Sequence, residues 1–71
     1  MSLYHTLCTL EDDRWCAQFG DYDLDTVVDE QDNMVQGGRR RRDTYVITTE
    51  DTQQAIDEAI ADLNARRRSP E

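Results

Sequence analysis

The chain has 71 residues, of which 37% are apolar and 34% charged, and a formal net charge of −8; that is material for one domain around one small core, without large pockets. No apolar run approaches the roughly 18 residues of a membrane-spanning helix, and the first ten residues lack the basic start and apolar centre of a secretory signal. A cytosolic protein is expected.

Lysine is absent and all eight basic residues are arginine. A GC-rich genome or adaptation to high salt explains that as readily as a function does. The acidity, however, is local. Residues 11 to 32 hold nine carboxylates against Arg14 alone, and that imbalance equals the whole formal charge of −8. An adaptation for solubility would spread acids over the surface, whereas these lie in less than a third of the chain.

In chain order, residues 2 to 10 (SLYHTLCTL) are rich in aromatic, aliphatic and threonine side chains without helical spacing, which predicts a strand. Glu11, Asp12 and Asp13 make a polar break. Residues 14 to 19 then alternate, with Trp15, Ala17 and Phe19 on one side and Arg14, Cys16 and Gln18 on the other. The pair reads as a hairpin. With Asp12 as the turn centre, Leu7 faces Ala17, His5 faces Phe19 and Cys8 faces Cys16, so that Leu3, Leu7, Trp15 and Phe19 share the core face. Opposed cysteines lie within bridging reach, but a reducing compartment favours thiols.

Gly20 to Asp23 reads as a turn, with Asp23 capping a helix from about Leu24 to Gln36. Leu24, Val27, Val28, Gln31, Met34 and Val35 fall on one side at 100° per residue and form the face to bury. Gly37 and Gly38 end the helix, with Gly37 expected as the left-handed cap. Arg39 to Arg42 follow, where positive charge suits both a helix C-terminus and the acidic flank. Residues 44 to 48 (TYVIT) predict a third strand. Asp51 with Gln54 resembles a capping box for a second helix running to about Arg66, with Ala55, Ile56, Ala59, Ile60 and Leu63 at helical spacing.

The fold class expected is a small α+β domain of ββαβα order, a three-stranded antiparallel sheet in order 2-1-3 with both helices on one face. Residues 1 to 71 form a single domain, with about 2 to 66 as ordered core and 67 to 71 as a frayed tail. The second sheet face, with Tyr4, Cys8, Cys16 and Gln18, is then left in water and offers a second interaction surface.

Asp25, Asp29 and Asp32 form a stripe along one flank of the first helix, stepping about 6 and 4.5 Å along its axis, a scale comparable with the roughly 3.4 Å rise of nucleic-acid phosphates. With Asp21 and Asp23 before them and Glu30 on the other side, they are the candidate partner-binding residues; Glu11, Asp12 and Asp13 are a secondary set. The competing reading is a solvated flank whose first-turn acids favour the positive end of the helix dipole. It accounts for Asp23 and Asp25. It does not account for Asp29, Glu30 and Asp32, which repel one another further along.

Other chemistries fit less well. D-Y-D-L-D with Asp29 and Asp32 imitates the acid spacing of a calcium-binding EF-hand loop, but Thr26 stands where that loop needs glycine and a strand precedes it. One histidine and two cysteines make a poor zinc set, and His5 has no catalytic partners at motif spacing. No catalytic residue, metal or cofactor is expected, and an enzyme is not the reading. The Arg39 to Arg42 run suits phosphate contact, yet it lacks interleaved aromatics and the net charge opposes direct nucleic-acid binding.

Trp15 with Phe19-Gly20-Asp21-Tyr22-Asp23, followed by a short helix, a strand and an Ala/Ile-rich helix, resembles small accessory proteins of phages and prophages. That resemblance implies a host-cytoplasmic inhibitor of the anti-defence, anti-CRISPR type. Several such inhibitors are acidic and occupy nucleic-acid sites, so the partner implied is a basic nucleic-acid-binding complex of the host, such as a CRISPR effector. The alternative is a small structural or regulatory module, monomeric or homodimeric, that uses the open sheet face or a strand edge.

Overall fold

In the computed structural model, residues 2–67 are described. Strands β1 (Leu3–Glu11) and β2 (Arg14–Asp21), helix α1 (Leu24–Gln36), a 3-10 turn (Arg41–Asp43), strand β3 (Thr44–Glu50) and helix α2 (Gln53–Arg67) follow one another along the chain. The sheet is antiparallel in order β2-β1-β3. The α+β class, the ββαβα order and the strand order are those read from the sequence. The tail expected to fray lies, apart from Arg67, outside the described residues.

The hairpin register differs from the expectation, and the turn is the cause. Asp12 and Asp13 both adopt positive φ (51° and 71°), the signature of a two-residue I′ turn, whose twist matches that of the strands it joins. Leu10 therefore faces Trp15 and Thr9 faces Cys16, one residue out of step with a turn centred on Asp12. A bulge between Leu7 and Cys8 on β1 then sets Cys8 against Ala17 and Leu7 against Phe19, which leaves Gln18 as the extra residue on β2.

A one-residue slip moves side chains to the other face of a sheet. Trp15 now shares a face with Cys8, Leu10, Tyr45 and Ile47, while Leu7 shares the opposite face with Thr9, Phe19 and Val46. Each apolar set needs its own cover. On the central strand, Thr6, Leu7, Cys8 and Thr9 are all buried; neighbouring strand residues point to opposite faces, so both faces are covered.

The face of Cys8, Trp15 and Ile47 packs against Leu63, Ile60 and Ala59 of α2. On the other face Leu7 and Val27 of α1 are fully buried, and the Gln31 side chain of α1 donates to Thr44 Oγ1 at 2.8 Å. The helices thus lie on opposite faces of the sheet, not on one, and the sheet face expected in water is covered by α2.

Cys8 is small for good reason. Trp15 from β2 and Tyr45 from β3 approach each other over the central strand, ring centroids 6.2 Å apart; Cys8 is paired with Tyr45 and lies diagonal to Trp15, whose own partner is Leu10. Cys8 and Cys16 point to opposite faces and are free thiols. Burial and the nearby Cys16 push the Cys8 thiol from 9.0 to about 11.

Both helices are capped locally. The Asp23 carboxylate accepts from the Asp25 N–H and the Thr26 hydroxyl. At the C-terminus, Arg39 N–H bonds to Met34 and Gly38 N–H to Val35, a Schellman closure with Gly38 as its left-handed residue at φ 115°. The expected left-handed residue, Gly37, sits instead at φ −79°. For α2 the cap is Thr52, whose hydroxyl oxygen accepts from Ala55 N–H at 3.1 Å, rather than Asp51. Gly20 lets the Tyr4 hydroxyl pass where a β-carbon would stand, and Tyr4 then meets Tyr22 edge-on at 5.0 Å.

Candidate acidic surface on helix α1

Each candidate acid is placed by its element, and the six do not form one constellation. Asp21 ends β2 opposite His5, and its carboxylate accepts from Asp23 N–H at 2.9 Å. Asp23 is the helix cap described above. Both carboxylates are engaged in folding the entry to α1, as the structural reading of a helix N-terminus requires. Asp51, across this end of the sheet, accepts from the Tyr22 hydroxyl at 3.3 Å, and its charge pushes the Tyr22 phenol above its ordinary value.

Asp25, Asp29 and Asp32 fall within about 60° of one another around α1 at 100° per residue. Asp25 and Asp29 are exposed. Neither has a partner for its carboxylate among the described residues. Asp32, half-buried, pairs with Arg41 at 2.8 Å, so the arginine run neutralises the C-terminal end of the stripe and leaves the rest. Glu30 lies on the opposite flank, half-buried. The stripe is therefore Asp25 and Asp29, extended by a paired Asp32.

The secondary acids sit at the far end of the hairpin from Asp21. Glu11 accepts from Arg39 at 2.9 Å and from the Thr9 hydroxyl at 2.9 Å, while Asp12 and Asp13 form the turn itself. The ion pairs Arg39–Glu11 and Arg41–Asp32 together fasten the arginine segment across one end of the fold. Sequence spacing had placed positive charge beside the acids; the particular pairs depend on the Schellman closure and the 3-10 turn that redirect the chain. Exposed pairs of this kind stabilise a fold by well under about 1 kcal/mol each, so their effect is mainly on the charge pattern.

The acids of α2 are arranged differently. Asp57 accepts from Gln53 at 2.9 Å, Glu58 from Gln54 at 3.1 Å, and Asp62 pairs with Arg66 at 2.9 Å, each one turn away. His5 does not face Phe19 but lies between Asp21 and Thr48, with Nδ1 2.9 Å from the Thr48 hydroxyl. Among the described residues no three His, Cys, Asp or Glu side chains converge in a metal-holding group, and no helix is long and apolar enough to cross a membrane.

Compared with known protein families, curated proteins and solved structures, the chain matches none of them.

Proposed function

We propose that the protein is a non-enzymatic, protein-binding inhibitor that presents the acidic flank of α1 to a basic site on a nucleic-acid-binding complex and competes there with DNA or RNA. The observation that carries the reading is the contrast within the fold: Asp25 and Asp29 stand exposed with no ion-pair partner among the described residues, whereas each acid of α2 has a donor one turn away. Like charges four residues apart destabilise a helix by about 0.2–0.5 kcal/mol, a cost that the helix dipole offsets at Asp25 in the first turn but not at Asp29. A pattern that costs stability and serves no fold contact is the pattern a recognition surface leaves. Phosphate-binding sites on proteins are built from Arg and Lys, and carboxylates at helical spacing meet the same donors.

The resemblance to phage accessory proteins makes an anti-defence role in the host cytoplasm, against a CRISPR-effector-like complex, the natural setting for such competition. Asp21, Asp23 and Glu30 flank the stripe, and Glu11, Asp12 and Asp13 add to its long-range field. Steering by a field of this sign makes association fast and strongly salt-dependent. Substituting Asp25→Lys and Asp29→Lys together is expected to abolish capture of the target with the fold intact. Unchanged affinity in the folded double variant would refute the proposal and leave the acidity as a solubility feature of a small interaction module.

A further inference from the structure

The sheet has two outer edges, and they are treated differently. On β2, Trp15 N–H donates to Asn64 Oδ1 at 2.7 Å and Asn64 Nδ2 donates to the Trp15 carbonyl at 3.2 Å, so one side-chain amide of α2 closes the edge as a neighbouring strand would. The bulge at Gln18 interrupts the same strand. On β3, seven consecutive residues pair with β1 without irregularity. The strand TYVITTE contains no proline, lysine or arginine. Beyond the Thr44 N–H, which bonds to Arg41, no described residue outside the β1–β3 pair hydrogen-bonds to its backbone. Its Tyr45 remains 46% exposed. An unprotected edge of this length is a template for another strand.

We propose that a second copy of this chain docks along the outer edge of β3, the two β3 strands pairing antiparallel about a two-fold axis at Ile47 to give a continuous six-stranded sheet. The strand is self-complementary in this register. Thr44 faces Glu50, Tyr45 faces Thr49 and Val46 faces Thr48, so no like charges oppose each other within the paired strands. The ends match as well. Arg42 stands just before β3 and Glu50 closes it, both exposed and neither with a side-chain partner among the described residues. Antiparallel pairing sets Arg42 diagonal to Glu50 of the other copy, twice in one dimer, which offsets the approach of Asp43 to Asp51 just outside the paired strands. Because α1 and α2 cover the faces of the sheet, neither blocks this edge. The proposal stands whether or not the acidic flank of α1 has a target.

Sedimentation equilibrium of the isolated protein from micromolar to millimolar concentration tests it. A reversible dimer is expected, with slower amide exchange over residues 45–49 as concentration rises. Arg42→Glu or Glu50→Arg alone should weaken the dimer roughly tenfold or more, since two-fold symmetry applies each reversal twice, and the double variant Arg42→Glu/Glu50→Arg should restore it. A monomer throughout that range overturns the proposal. So does a dimer that neither single reversal weakens, or one whose β3 amides exchange independently of concentration. Were a monomer instead to take up an added peptide of another protein along β3, the edge would belong to that partner and not to a second copy.

Discussion

Helix α1 holds Asp25, Asp29, Glu30 and Asp32 with no basic residue, and helix α2 holds Asp57, Glu58 and Asp62 with Gln53, Gln54 and Arg66 one turn from each of them. Among the described residues, therefore, one helix has its acids all matched from within and the other has acids that look outward, with Arg41 alone pairing at the end. Their cores differ in the same sense. The α2 face is a packed apolar cluster around Trp15, Cys8 and Ile47, whereas on the other face Leu7 and Val27 of α1 are buried and α1 meets β3 through the polar pair Gln31 and Thr44. One helix is suited to holding the fold, and the other to displaying charge on it.

The largest expected effect tests whether the sheet is covered on both faces. Trp15→Ala on the α2 face and Leu7→Ala on the α1 face should each cost about 2–5 kcal/mol, which for a domain of this size is comparable with a total stability of about 4–10 kcal/mol. Urea unfolding should show both variants largely unfolded or close to it. If one of them were tolerated, that face would be no core.

Next comes the buried thiol on the α2 face. Cys8 in the folded protein titrates near 11 against an ordinary 9.0, so the unfolded chain loses its proton first and its contribution to stability is complete below pH 9 and declines as pH rises toward 11. Two units correspond to about 2–3 kcal/mol. Chemical denaturation at pH 7, 9 and 10.5 should show this decline, and Cys8→Ala should remove that part of it. In alkylation at neutral pH, Cys16 should react while Cys8 stays protected until the fold opens.

A smaller effect bears on the edge closed by α2. Asn64→Ala removes both hydrogen bonds to Trp15 and should lower stability by about 1–3 kcal/mol, visible as faster amide exchange at Trp15. The smallest sharpens the comparison of the helices directly. Asp29→Asn on α1 relieves repulsion and should leave stability unchanged or raise it by a few tenths of a kcal/mol, whereas Asp62→Asn on α2 should lower it by about the same amount. Equal signs in thermal unfolding would mean that the two helices carry their acids alike.

The elements themselves were legible in the sequence because each is written locally. Asp23, the apolar spacing through Val35 and the Gly37-Gly38 pair delimit α1 with no tertiary information, and TYVIT is a strand on propensity alone. The register was not legible. An Asp-Asp turn lacks the Asn-Gly signature that marks a two-residue hairpin, and nothing in Ala17-Gln18-Phe19 announces a bulge.

That single slip governed the rest. With Trp15 and Leu7 assigned to the same face, one helical layer suffices; with the observed turn they part, and α2 must cross to the other side. The acid stripe was legible as an arc of α1, but the engagement of Asp21 and Asp23 in the helix entry, and of Asp32 with Arg41, depends on where the chain goes next.

The most direct measurement of the acidic flank is capture of nucleic-acid-binding complexes from bacterial lysate on three immobilised proteins: the wild type, Asp25→Lys/Asp29→Lys, and the control Asp57→Lys/Glu58→Lys. Each is run at about 0.05 and 0.5 M salt, conditions that separate screened from unscreened surface charge. The expected result is a basic complex held by the wild type and the control at low salt, released at high salt or by added DNA or RNA, and absent from the α1 variant. Equal capture by both folded variants, or capture indifferent to salt and to nucleic acid, would contradict it.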